Sequence, residues 1–153
     1  MMDKLHKKLF LNEEEISLDL LPENIEQADV YDITIIQSEG KCTARINLEP
    51  VKDSLSKVFI KIFAENNALV DCVCTLNVGK ECSGIDTDVQ FRSWPFDRSR
   101  IQARPEMFIK NGNIIAAHGN ALGTLSDEDK YYLNSRGITD FKEMIKRSLI
   151  DEE

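Results

Sequence analysis

Residues 103–137 read ARPEMFIKNGNIIAAHGNALGTLSDEDKYYLNSRG, and within this run the chain passes from strand to helix. Two strands are expected, over about Ile101 to Ile109 and Asn113 to His118, because β-branched and aromatic residues recur there with no helical period. Ser126 is placed as a helix N-cap, with Asp127, Glu128 and Asp129 in a first turn where the helix dipole favours acids. Gly137 supplies the left-handed stop. A second helix begins near Thr139, since Phe141, Met144, Ile145 and Leu149 recur at helical spacing as one apolar stripe.

Upstream, the period is two. Tyr31, Ile33 and Ile35 alternate with polar residues, as do Cys42, Ala44, Ile46 and Leu48, and then Val58, Ile60, Ile62 and Ala64. The longest such pattern places Ala68, Val70, Cys72, Cys74, Leu76 and Val78 on one face, and another places Ile85, Thr87, Val89 and Phe91 together. Strands at this rhythm, with no helix between them, build either a sandwich or a stack of coils. Residues 1–29 hold eight acids against three bases, with Leu5, Phe10, Leu11, Ile16, Leu18, Leu20 and Leu21 among them and Pro22 as a stop. An acidic N-terminal arm or short helix is expected there, with Glu13, Glu14 and Glu15 as a solvated face.

A chain of 153 residues suits one domain with a single modest core. Its net charge of -8 is concentrated at the ends, since residues 30–150 are balanced. That distribution reads as solvated tails and argues against nucleic acid, which requires a net basic face. No apolar run approaches the roughly 20 residues of a membrane span, and the N-terminus lacks the apolar core of a signal peptide. A soluble, cytoplasmic protein is expected, with its four cysteines reduced.

Cys72 and Cys74 lie two apart on a strand among Val70, Leu76 and Val78, so they read as core, as does Cys42. Cys82 sits in a polar turn between Glu81 and Ser83-Gly84 and is the candidate accessible thiol. No zinc spacing occurs. Arg92, Arg98, Arg100 and Arg104 lie near Phe91, Trp94 and Phe96, a mixture suited to single strands of nucleic acid. Asp86, Asp88, Asp97 and Glu106 are close enough to neutralise it, and a salt-bridged surface is the preferred reading. There is no phosphate loop, nucleophile elbow or placed carboxylate pair, so an enzyme is not expected.

Ala103-Arg104-Pro105-Glu106, His118-Gly119, Gly123, Tyr132-Leu133 and Ser135-Arg136-Gly137-Ile138 together resemble the C-terminal part of the SufB/SufD family, scaffold proteins of the SUF iron–sulfur cluster assembly system. The resemblance implies a mainly β fold: a right-handed parallel β-helix over residues 30–125, followed by two short α-helices over 126–153. It places His118 on the family histidine that helps hold a nascent cluster at the SufB–SufD interface. Any iron or transient iron–sulfur cluster is therefore assigned to His118, with Cys82 as its thiol. It also implies two partners: a second SufB/SufD-like subunit, identical or not, and an ABC-type ATPase of the SufC kind. The C-terminal helices would dock that ATPase through Tyr131, Tyr132, Phe141 and Met144. Two positions depart from the family pattern, Ala116 where it has cysteine and Ala121 where it has threonine. They leave an alternative, a structural or interaction protein that keeps the fold without cluster chemistry.

Overall fold

The computed structural model describes residues 14–123 and 126–150 in full and residues 6–11 and 151 as backbone. Among the described residues, nine strands precede two helices: β1 (His6–Leu11), β2 (Glu15–Leu20), β3 (Asp29–Gln37), β4 (Lys41–Leu48), β5 (Leu55–Ala64), β6 (Leu69–Val78), β7 (Ile85–Pro95), β8 (Arg100–Ile109), β9 (Ile114–Leu122), α1 (Asp127–Ser135) and α2 (Phe141–Asp151). Odd strands form one sheet in the order β1-β3-β5-β7-β9, and even strands a second in the order β2-β4-β6-β8. Every pairing is parallel. The chain is thus a parallel β-solenoid of about four turns, each full turn placing one strand in each sheet, followed by two short helices.

Period two is the reason. Alternate side chains point between the sheets, and register stacks like upon like. In the odd sheet Ile33 lies beside Ile60 and Ile60 beside Phe91; in the even sheet Ala44 lies beside Cys72, Ile46 beside Cys74 and Leu48 beside Leu76. All of these are 2% exposed or less. Such columns bury apolar surface at about 25 cal/mol per Å² and leave each coil dependent on its neighbours.

The corners are stacked too. Asn66 and Asp97 hold positive φ values of 58° at equivalent corners of successive coils. The Asn66 backbone N–H donates to Asp97 Oδ2 at 2.9 Å, while Asn66 Nδ2 donates to the Ser38 carbonyl at 2.9 Å. Asparagine and aspartate tolerate the left-handed region because their short side chains bond locally, which lets the chain turn sharply between sheets.

The arm or short helix expected within residues 1–29 is replaced by strand. β1 and β2 form the first coil, with Ile16 and Leu20 buried and Leu18 packed against the core. Ile16, Leu18 and Leu20 alternate with Ser17 and Asp19, so the period-two signal extends into this segment, where the surrounding acids masked it. Glu14 and Glu15 are exposed, and Glu13 lies outside the described residues.

The helices behave differently from one another. Ser126 caps α1 by a capping box: its hydroxyl accepts from the Asp129 N–H at 3.0 Å, and Asp129 accepts from the Ser126 N–H at 3.2 Å. No residue of α1 is buried. By contrast, α2 lays Ile145 and Leu149 on the outward column Ile36, Phe63 and Trp94 of the odd sheet, with Phe96 and Met144 at the margin. Glu65 anchors it by accepting from Lys146 at 2.7 Å, from Ser38 at 2.8 Å, and by an ion pair with Lys142 at 3.4 Å.

Candidate functional site

The last coil is incomplete. β9 adds a fifth strand to the odd sheet, and among the described residues the even sheet ends at β8. Inward columns that are sealed deeper in the solenoid therefore open to solvent: Val89, 2% exposed, is followed in register by His118, which is exposed. Ile114 and Ala116 remain half-buried beside it, and Leu122 is 64% exposed.

The two edge strands differ chemically. In β8 the N–H groups of Arg100 and Lys110 bond back to Ala68 and Val78, so by alternation the odd residues 101–109 direct their backbone groups to the free edge. One of these is Pro105, which has no N–H, and another is Ala103, whose carbonyl accepts from Asn120 Nδ2 at 2.9 Å. The β8 edge is blunted. In β9 the Gly123 N–H bonds to the Ser93 carbonyl and the Asn113 carbonyl accepts from Gly84, so the even residues 114–122 face the free edge. This strand, IIAAHGNAL, has no proline and no acid, lysine or arginine. His118 stands at its centre.

The structure does not bring Cys82 to His118. Cys82 lies in the corner before β7, half-buried and packed against the core. His118 pairs with Val89, four residues beyond the Ile85–Ile114 pair, which alone separates them by about 13 Å along the strands. Cys42, Cys72 and Cys74 are buried as expected. Burial, reinforced by Cys74, Cys42 and Asp71, pushes the Cys72 thiol far above the ordinary range, and burial raises Cys74 to about 12. Neither supplies a thiolate near neutrality. Among the described residues no three His, Cys, Asp or Glu side chains converge as a metal site. Ala116, two residues from His118 on the same inward face of β9, contributes no sulfur.

Of the four side chains expected to dock a partner, Tyr131 and Tyr132 are 78% and 56% exposed, with Arg136 stacked over Tyr132 at 5.4 Å. Met144 packs toward the protein's own odd sheet and Phe141 is half-buried, so these two belong partly to the α2 contact. The arginine–aromatic mixture is dispersed. Phe91 faces the core, Arg92 lies over Trp94 on the odd sheet at 5.5 Å, and Arg104 pairs with Asp71 on the even sheet at 3.4 Å.

The motif glycines have packing reasons. Trp94 lies flat against Gly123, where a Cβ would overlap the indole; a Cβ at Gly119 would meet only the tip of Gln90. Sequence reasoning overlooked Asn120, whose signal is visible only in three dimensions, and Pro105, whose place inside a strand pattern already marks an edge strand.

A parallel two-sheet solenoid with one open end and a helical appendage defines the class of this protein. The family model for "SUF system FeS cluster assembly, SufBD core domain" matches residues 12–144, and the chain belongs to that family. It is thereby a protein of SUF iron–sulfur cluster assembly. No curated protein matches the sequence. Among the described residues no helix is long and apolar enough to cross a membrane.

Proposed function

We propose that this chain is a non-catalytic scaffold subunit of the SUF system that pairs through β9 with a second SufB/SufD-like subunit, identical or not. One observation carries the reading: β9 is an uncharged edge with its backbone groups free, beside an edge that Pro105 and Asn120 close. An exposed strand edge is a template for another chain. Pairing there places His118 at the junction, so a nascent cluster, as cargo, draws its thiolates from the partner. The ABC-type ATPase contacts α1, whose Tyr131 and Tyr132 are exposed and have no apolar cover among the described residues.

A second reading is favoured by Ala116 and by the wide separation of Cys82 from His118. In it the protein keeps the pairing surface and transmits ATPase motion without handling iron. Co-purification with the ATPase and the SufB-like subunit of the same organism, followed by anaerobic reconstitution with iron and sulfide, separates the two. A complex whose charge-transfer absorbance falls on His118→Ala supports cluster handling. A complex indifferent to that change supports the second reading, and the absence of any complex overturns both.

A further inference from the structure

Among the described residues no helix covers the outer face of the even sheet, and its side chains are ordered by register. Lys41, Leu69 and Arg100 form one outward column, and Arg45, Val73 and Arg104 form another four residues further along. Each column sets two cations about 10 Å apart over an aliphatic floor, and the columns lie about 13 Å apart. Asp71 stands between them on the central strand β6 and takes Arg104 at 3.4 Å, while Lys41, Arg45 and Arg100 make no ion pair with another described residue. Two hollows, one of about 360 Å³ bordered by Arg45, Val73 and Arg104 and one of about 550 Å³ bordered by Lys41, Leu69 and Arg100, share Asp71 in their walls and together make up a trough.

We infer that this trough binds an extended peptide segment of another protein carrying acidic residues four positions apart with a basic residue midway between them. An extended chain rises about 3.3 Å per residue, so residues i and i+4 of such a segment reach the two cation pairs, and residue i+2, on the same face, meets Asp71. The β6 backbone is already paired with β4 and β8, so recognition is by side chains alone. The acids also select against nucleic acid. Asp71 at the centre and Glu106 in the wall interrupt any continuous polyanion, whereas an alternating peptide satisfies them.

The test is titration of the labelled protein with the capped heptapeptide TETKTET, its charge-swapped counterpart TKTETKT, and a dodecameric oligothymidylate, read by amide chemical shifts. TETKTET should move amides of β4, β6 and β8 at low salt, with affinity falling about tenfold in Arg45→Glu and also in high salt, as screened charges require. Arg45 is exposed, so its replacement leaves the fold intact, and unchanged shifts elsewhere verify this. No response to TETKTET at millimolar concentration overturns the inference, as does an equal response to TKTETKT or tighter binding of the oligonucleotide. These outcomes are independent of whether the protein pairs through β9.

Discussion

Lys146 donates to the Glu65 carboxylate at 2.7 Å across 81 residues of sequence, and this contact fastens the C-terminal helix to a coil corner. Burial alone would raise the Glu65 carboxyl, but hydrogen bonds from Lys146 and Ser38, the Lys146 charge and a hydrogen bond from Lys142 outweigh it and hold the group below the ordinary glutamate range. The unfolded chain therefore binds more protons than the folded one in acid. Stabilisation by Glu65 is complete above the unfolded value of about 4.3 and is lost as pH falls through the lower folded value. Glu65→Gln should cost about 1–3 kcal/mol in chemical denaturation, because it leaves Lys146 without its carboxylate. Protection factors of the α2 amides, corrected for the intrinsic exchange rate, should fall in acid for the wild type and at neutral pH for the variant.

The thiols should divide by position. Disulfide-exchange labelling of the native protein should modify Cys82 alone, and labelling in denaturant all four cysteines. Cys72 and Cys74 are held neutral by burial, and a thiolate is the attacking species. Cys82→Ser should abolish the native reaction and leave stability within about 0.5 kcal/mol. Fast native labelling at Cys72 or Cys74 would mean that the solenoid core opens readily.

The contrast among cysteines shows what was legible in the sequence. Burial of Cys42, Cys72 and Cys74 follows from strand alternation, a one-dimensional pattern, and so do the inward columns and the capped start of α1. Stacking in parallel coils rather than in a sandwich does not follow from period two, since both bury alternate residues; the motif resemblance supplied it. How far Cys82 lies from His118 within one chain was not legible because it is a question of register. Only the Val89–His118 pairing tells how far along the coil the histidine lies. Likewise the acids of residues 13–19 obscured a strand whose apolar positions were already alternating.

Gly123 should be less replaceable than Gly119, although both belong to the same motif. A Cβ at position 123 overlaps the rigid Trp94 ring, whereas at position 119 it meets the flexible end of Gln90. Gly123→Ala should cost about 1–3 kcal/mol and Gly119→Ala far less. Trp94 is the single tryptophan, so its fluorescence reports the displacement directly. An unchanged emission spectrum in Gly123→Ala would show that the indole has room to withdraw.

Strand addition at β9 makes opposite demands on neighbouring residues. Ala116 directs its N–H to the free edge, and Ala117 directs its N–H into the ladder with β7, as the alternation fixed by the Gly123–Ser93 bond requires. Proline at an edge-facing position removes only the donor that a partner strand would use, whereas proline at a ladder position removes a bond the fold itself needs. Ala116→Pro should therefore leave the denaturation midpoint close to that of the wild type while abolishing self-association or pairing with a SufB-like subunit in light scattering. Ala117→Pro should lower stability by about 3 kcal/mol, with pairing weakened only as a consequence. If Ala116→Pro pairs as well as the wild type, the contact is not made by β9, and His118 does not lie at a subunit junction.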